Sequence, residues 1–143
     1  MEDVAKSKGK DIGQIYRFIE KVLWLIPLDS RPDGYDPLVS KQITEANVKE
    51  LADASAAIWS AMLECDAERL GKAFTDTVRA TKAILPNTVP SYLDPIWQRY
   101  DKDTLGCLFT GCGGGFLMVI AHEKPNGDAF QIKVNAHDWW RGK

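Results

Sequence analysis

The spacing of apolar residues changes near residue 103, and this change most strongly limits the folds that the chain can adopt. From residue 44 to residue 85, apolar side chains recur every three or four positions, which is the period of an amphipathic helix. Beyond it, residues 105–110, 115–121 and 129–135 form short apolar and β-branched runs, which favour strands. Helices and strands grouped in separate blocks predict an α+β fold, in which helices pack against an antiparallel sheet.

The first forty residues add one helix and one strand. An apolar stripe from Ile12 to Leu23 predicts a helix that starts at Asp11. The run VLWLIPL, residues 22–28, either continues this stripe or forms a buried strand, and its apolar density favours a strand after about Lys21. The segment DSRPDGYDPL, residues 29–38, is rich in proline and turn residues, which predicts a loop.

Capping residues mark the starts of the later helices. Thr44 is a good N-cap for one long helix, and Asp66 is a cap for the next, which Pro86 ends. Ser91 or Asp94 can cap a short helix that follows. The sequence therefore predicts three helices between the first strand and the C-terminal strands.

The last two predicted strands flank the segment EKPNGD, residues 123–128. Its Asn-Gly dipeptide is typical of a tight turn, so the sequence predicts an antiparallel hairpin in which these two strands pair. Together with the strand after Lys21, the C-terminal strands predict an antiparallel sheet of about four strands, with the helices packed on one face.

Composition and charge exclude several classes of protein. The chain has 143 residues, a formal net charge of −2 and a sequence pI of about 5.7, so nothing attracts it to nucleic acid or to an anionic membrane surface. Three cysteines, Cys65, Cys107 and Cys112, argue against a disulfide framework, and no secretory signal or membrane-spanning run is present. We therefore expect a cytoplasmic protein with one domain at residues 11–143, after a disordered tail at residues 1–10.

Four glycines, Gly111, Gly113, Gly114 and Gly115, lie within five positions between two predicted strands. Because they lack Cβ atoms, consecutive N–H groups can point into one concavity, and such a nest suits an anion. The alternative is a tight bend in which glycine only avoids steric clashes. No Lys-Ser/Thr follows the run, and a strand rather than a helix comes next, which excludes a Walker A motif and a dinucleotide-binding fingerprint.

The stretch LFTGCGGGFLMVI, residues 108–120, resembles the third conserved motif of the GHMP kinase superfamily, which includes galacto-, homoserine, mevalonate and phosphomevalonate kinases. The family pattern there is roughly Lys-Leu-Thr/Ser-Gly-Ala-Gly-Gly-Gly-Gly-Phe/Tyr-Leu. In this chain Cys112 stands in the usual place of alanine, and the run is one glycine shorter. The resemblance implies that six residues lie near the phosphates of ATP: Thr110, Gly111, Cys112, Gly113, Gly114 and Gly115.

An upstream segment carries a second resemblance. SRPDGYDPL, residues 30–38, is similar to the Pro-Arg-Pro-x-Gly-Tyr-Asp-Pro-Leu segment of bacterial sugar-kinase-like members of the family. The resemblance implies that Arg31, Tyr35 and Asp36 face the substrate cleft. The alternative is that Tyr35 packs on the edge of the sheet while Arg31 pairs with a surface carboxylate.

The resemblance covers most of the chain and implies the C-terminal domain of such a kinase, which has a ferredoxin-like α+β fold with added helices. The main phosphate-binding loop of the family and the residues near the accepting hydroxyl belong to its N-terminal domain, and neither motif occurs here. ATP and Mg²⁺ would then be held with an N-terminal kinase domain, in cis or in trans, and the substrate would be a small molecule such as a sugar. We therefore expect no kinase turnover from this chain alone, and no catalytic residue is assigned.

Other chemistry is weakly supported. Cys107 and Cys112 form an isolated C-x4-C, which lacks the four ligands of a structural zinc site, so we expect no metal and predict small buried side chains. Trp139 and Trp140 form an apolar pair that suits an N-terminal domain, a second copy of the chain, or packing on its own sheet. The alternative function is a stand-alone binding module that has the fold without the catalysis.

Overall fold

The computed structural model describes residues 11–29, 36, 38, 40–89, 91–110 and 115–134. Within this part of the chain the helices are α1 (Ile12–Val22), α2 (Glu45–Leu63), α3 (Ala67–Ile84) and α4 (Asp94–Asp103), with a 3-10 turn at Pro86–Thr88. The strands are β1 (Leu23–Pro27), β2 (Gly106–Phe109), β3 (Phe116–Ile120) and β4 (Phe130–Gln131). The predicted tail at residues 1–10 and the Trp139–Trp140 pair lie outside the described residues.

Local capping bonds fix the starts of the first three helices. At α1, the Asp11 carboxylate accepts from the Gln14 N–H at 2.7 Å, and the Gln14 side chain accepts from the Asp11 N–H at 2.9 Å. The predicted caps Thr44 and Asp66 are confirmed, because each side chain accepts the N–H three residues later, at 3.1 Å in both cases.

The predicted caps of α4 are wrong. The N-cap is Leu93, which has no capping side chain, and Asp94 is already the first helical residue. The Asp94 carboxylate instead contacts Lys82 of α3 at 2.9 Å and accepts from Gln98 at 2.7 Å. A tertiary ion pair and an intrahelical bond therefore occupy the side chain that the sequence suggested as a cap.

The four strands form one sheet in the order β2-β3-β1-β4, and all neighbours are antiparallel. The helices α2, α3 and α4 connect β1 to β2, which run in the same direction with β3 between them. This is the split β-α-β arrangement of ferredoxin-like sheets. The predicted α+β class with a four-stranded antiparallel sheet is confirmed.

The predicted hairpin between the last two strands is wrong. β1 lies between β3 and β4, with Leu23 opposite Ile120 on one side and Leu25 opposite Phe130 on the other. The Asn-Gly segment turns for another reason: the Asn126 carbonyl accepts a hydrogen bond from the Tyr100 hydroxyl at 2.7 Å, and Gly127 has a φ of +96°. Residues 121–129 thus connect two strands that run in the same direction on either side of β1, rather than forming a hairpin.

The last strand is also shorter than predicted, since β4 contains two residues rather than the whole of 129–135. Beyond it, the Gln131 side chain donates to the Lys21 carbonyl at 2.9 Å, and the Val134 N–H donates to the Glu20 carboxylate at 2.8 Å. These bonds direct the chain toward the end of α1 instead of extending the ladder along β1.

Apolar side chains cover both faces of the sheet. The first face contacts Trp97 and Tyr100 of α4 and its N-cap Leu93. The sheet contributes Trp24, Ile26, Cys107, Phe109, Leu117 and Val119 to this cluster. The second face contacts α2 and α3 through a cluster that includes Val22, Ala61, Leu70, Phe74, Met118 and Ile120. The helices, which were expected on one face, therefore contribute side chains on both. None of the helices in the described part of the chain has the length and apolar character needed to cross a membrane.

Candidate functional site

The glycine loop connects β2 to β3 as the turn of a hairpin. The register pairs Phe109 with Leu117, and the Thr110 N–H donates to the Phe116 carbonyl at 3.0 Å, which extends the ladder by one pair. Residues 111–115 therefore form the connection between the paired strands. Four of the predicted loop residues lie outside the described part of the chain: Gly111, Cys112, Gly113 and Gly114.

The Thr110 side chain fastens the base of this loop. Its hydroxyl donates to the Phe116 carbonyl at 3.0 Å and accepts from the Phe116 N–H at 3.3 Å. A threonine hydroxyl has one donor and two acceptor sites, so both bonds form together. Thr110 thus holds the two ends of the loop at a fixed separation.

Gly115 is the last residue of the loop and has a φ of +92°. A Cβ added there would be 4.0 Å from the nearest atom, the Thr110 hydroxyl oxygen, so space does not require glycine at this position. The positive φ is the reason for glycine, because residues with a side chain rarely adopt it. The Gly115 carbonyl accepts a hydrogen bond from the Leu28 N–H at 2.7 Å, which fixes the loop to the chain just after β1.

The same bond brings the residue that lies two positions before the upstream segment into contact with the last glycine of the loop. Leu28 is followed by the exposed Asp29 and then by the segment at residues 30–38, so this segment starts beside the last glycine of the loop. Arg31 and Tyr35 lie outside the described residues. The end of the sheet that carries Phe109 and Leu117 therefore holds Gly115 and, hydrogen-bonded to it, Leu28.

Asp36 is exposed and forms local bonds. Its carboxylate accepts the Leu38 N–H at 2.9 Å, which is an Asx-type turn, and its carbonyl accepts from the Asn87 side chain at 2.5 Å. The second bond attaches this segment to the 3-10 turn that follows α3. In the described geometry, Asp36 therefore stabilises the path of its own segment.

Cys107 is a packing residue. Its side chain is fully buried on the first face of the sheet and lies 3.6 Å from the Trp97 carbonyl oxygen, to which the thiol donates. Burial, and to a smaller extent the charge of Asp101, raise the pKa of the Cys107 thiol far above its ordinary value. Such a thiol stays protonated and is a poor nucleophile or metal ligand. Across the described residues, no group of three or more His, Cys, Asp or Glu side chains could hold a metal ion.

An exposed aromatic pair beside the loop was not predicted from the sequence. The rings of Phe116 and Phe130 meet edge to face, with centroids 6.0 Å apart, and the two residues are 39% and 43% exposed. They belong to the strands on either side of β1, so only the true strand order brings them together. The pair could not be predicted from the sequence, because the predicted hairpin gave a different strand order.

Together, the described residues form a fixed frame for a backbone-lined loop. Thr110 and Leu28 hold its ends, Gly115 supplies a conformation that glycine favours, and Phe116 adds an apolar surface next to it. Within the described residues of this frame, the N–H groups of Thr110 and Phe116 form hydrogen bonds that close the hairpin. Comparison with known proteins adds no relative: no family model, curated protein or solved structure matches this chain.

Proposed function

We propose that this chain is the phosphate-proximal half of an ATP-dependent small-molecule kinase of the GHMP type, with a sugar as the substrate. In this proposal the loop at residues 111–115 lies beside the phosphates of ATP, and the segment with Arg31, Tyr35 and Asp36 forms one wall of the substrate cleft. The observation that carries the proposal is the hydrogen bond from the Leu28 N–H to the Gly115 carbonyl, because it holds the chain two residues before one motif against the last glycine of the other.

Two further observations support it. The strand order is that of a ferredoxin-like sheet, which is the fold expected from the resemblance. The loop is fastened at its base by three hydrogen bonds between Thr110 and Phe116, so its backbone donors can be held in place before a ligand arrives. Phosphoryl transfer depends on positioning and on charge stabilisation, and preset N–H dipoles contribute to both.

The proposal divides the chemistry between two domains. Backbone donors beside the phosphates cannot replace a metal ion, and the described residues offer no metal-binding group. An N-terminal kinase domain, in cis or in trans, would therefore hold most of the ATP and its Mg²⁺. This chain would shape the loop and part of the cleft, and by itself it would not turn over substrate.

Co-purification from the native source, followed by an ATP-consumption assay with a panel of sugars, tests the division of labour. We expect the purified chain alone to show no turnover and the chain with its co-purified partner domain to show sugar-dependent turnover. Turnover by the pure chain would disprove the division between domains. If no sugar in the panel causes ATP consumption with any recovered partner, the kinase assignment is disproved.

A titration of the isotope-labelled chain with ATP-Mg²⁺ and with sugar phosphates tests the loop directly. We expect the amide signals of Thr110, Gly115 and Phe116 to shift, and the melting temperature to rise with ligand concentration as mass action requires. If neither quantity responds to any phosphate ligand, the loop does not bind phosphate.

A stand-alone binding module is the second candidate function. The observation that favours it is the same set of bonds at Thr110, because closing a hairpin requires them whether or not a ligand binds the loop. This module would keep the fold and the exposed Phe116–Phe130 pair without contributing to catalysis. A flat response to phosphate ligands, together with a stable partner in the native source, would favour it over the kinase proposal.

A further inference from the structure

A groove of about 510 Å³ lies at the end of the sheet opposite the glycine loop. Its walls are the C-terminal half of α4 with residues 104–105, and the segment 121–126 that follows β3. The Leu105 N–H donates to the Ile120 carbonyl at 3.0 Å at this end, whereas the bond between Thr110 and Phe116 closes the other end of the same strand pair. The groove is thus separate from the site proposed above, and its ligand does not depend on the kinase proposal.

The two walls are held together by buried contacts. Tyr100 is buried, and its hydroxyl donates to the Asn126 carbonyl at 2.7 Å across the groove. A Cβ at Gly127 would lie 2.8 Å from this hydroxyl oxygen, so the segment passes closely over the ring. On the α4 side, the Thr104 hydroxyl donates to the Tyr100 carbonyl at 2.6 Å. The groove therefore has a fixed back wall before any ligand binds.

Basic side chains line this groove in a protein that is acidic overall. Arg99, Lys102 and Lys124 contribute three positive charges, against two negative charges from Asp103 and Glu123, while the whole chain has a formal net charge of −2. Among the residues that the structure describes, none of the three basic side chains forms an ion pair. The Arg99 guanidinium lies 4.9 Å from the centre of the Tyr100 ring, which places it against the back wall.

Unpaired cations in a preformed groove favour an anionic ligand, because they gain a partner without first breaking an ion pair. A phosphate group suits three such cations, and an arginine fork can bind two of its oxygens at once. The carboxylates of Asp103 and Glu123 can only accept hydrogen bonds, so they fit hydroxyl groups rather than further anionic oxygens. The groove thus combines donors for a phosphate with acceptors for hydroxyls.

We propose that the groove between α4 and residues 121–126 binds a hydroxylated phosphate monoester, with Arg99, Lys102 and Lys124 on the phosphate and Asp103 and Glu123 on the hydroxyls. The site would be a second ligand site of this chain, at the opposite end of the sheet from the glycine loop.

Titration of the labelled full chain with glucose 6-phosphate, inorganic phosphate and glucose tests the proposal by amide chemical shifts. We expect saturable shifts confined to residues 99–105 and 121–126, with glucose 6-phosphate binding more tightly than either fragment. Shifts located elsewhere, no saturation, or equal affinity for inorganic phosphate and the ester would each overturn the assignment. A response of Gly115 and Phe116 without a response of the groove would overturn this inference and leave the loop proposal standing.

Charge-matched double variants separate specific binding from general attraction. We expect Lys102→Ala with Lys124→Ala to weaken glucose 6-phosphate binding about tenfold, since each contact is partly exposed. Lys41→Ala with Lys133→Ala removes the same charge from exposed positions outside the groove and should leave the affinity within about twofold. Equal losses in the two double variants would overturn the site. Tyr100 is left unchanged because its buried side chain supports the fold.

Discussion

Gly71 of α3 and Gly106 of β2 are in direct contact through their backbones. A Cβ on Gly106 would lie far closer to the Gly71 carbonyl oxygen than van der Waals contact allows, and so would a Cβ on Gly71 to the Leu105 carbonyl oxygen. The obstacles are backbone atoms in both directions, so no side-chain rotation can relieve them. Glycine at these two positions lets α3 lie against the edge strand of the sheet.

Gly71→Ala should therefore destabilise the protein although alanine favours helices. We expect the free energy of unfolding to fall by about 2–3 kcal/mol, because the added methyl group forces α3 away from β2. Urea denaturation followed by circular dichroism measures the loss. Gly13→Ala in α1 is the control, since the nearest atoms there belong to the side chains of Asp11 and Arg17. A loss of similar size in both variants would contradict the explanation.

Trp97 links α4 to the sheet by a buried hydrogen bond. Its indole N–H donates to the Cys107 carbonyl at 3.0 Å within the first cluster. We expect Trp97→Phe to lower the free energy of unfolding by about 2–4 kcal/mol, through a lost hydrogen bond and a smaller ring. Trp59→Phe should cost less, because Trp59 is only partly buried and its N–H forms no hydrogen bond within the described residues. Equal losses in chemical denaturation would argue against this role of the bond.

Elements fixed by local interactions were predictable, and those fixed by distant ones were not. The caps Thr44 and Asp66 act on residues three positions away, so their effect is visible in a short stretch of sequence. The position of β4 depends on pairing between Leu25 and Phe130, more than one hundred residues apart. The local Asn-Gly dipeptide predicted a hairpin. The hydrogen bond from the Tyr100 hydroxyl to the Asn126 carbonyl instead attaches this turn to α4.

The candidate site was partly predictable for the same reason. The glycines between two strands showed where the chain reverses, and Thr110 and Gly115 do form the ends of that reversal. The contact of Leu28 with Gly115 and the pairing of the rings of Phe116 and Phe130 both require the true strand order. The basic groove is formed by α4 and a segment about twenty residues later in the chain, so no short sequence motif predicts it.

Cys107 should make the stability depend on pH in the alkaline range. Burial and Asp101 raise the pKa of its thiol in the folded state, so the folded protein keeps this proton after the unfolded chain has lost it. The free energy of unfolding should therefore fall as pH rises above about 8.5, the ordinary thiol value. Cys107→Ala should show a weaker fall between pH 7 and pH 10 in urea denaturation. If Cys107→Ala keeps the slope of the original protein, the buried thiol is not the source of the fall.

Thr110 should contribute to the stability of the hairpin through its hydroxyl rather than its size. Thr110→Val keeps the shape but removes both side-chain bonds to Phe116, and we expect a loss of about 1 kcal/mol. Amide hydrogen exchange should become faster at Phe116 in this variant, while Thr110→Ser should keep most of the protection. If valine and serine protect Phe116 equally, the hydroxyl does not fasten the loop.

Gly115 and Gly127 both have a positive φ, +92° and +96°, but Gly115 ends the glycine loop whereas Gly127 follows the groove segment 121–126. Gly115→Ala should lower the free energy of unfolding by about 1–2 kcal/mol from strain at a positive φ. Gly127→Ala should cost at least as much, because its Cβ would also lie 2.8 Å from the Tyr100 hydroxyl oxygen. The two variants thus form a matched pair for stability, measured by thermal and urea denaturation.

Their ligand binding should differ, and this difference separates the function of the loop from its role in folding. If the nest binds phosphate, Gly115→Ala should weaken the shifts that ATP-Mg²⁺ produces at Thr110 and Phe116, because the last residue of the loop changes conformation. Gly127→Ala should preserve those shifts, since its added Cβ would contact the Tyr100 hydroxyl of the groove rather than the loop. For glucose 6-phosphate binding in the basic groove we expect the opposite result. Gly127→Ala should weaken this binding, and Gly115→Ala should preserve it. Parallel losses for both ligands in both variants would mean that only the common loss of stability is being observed.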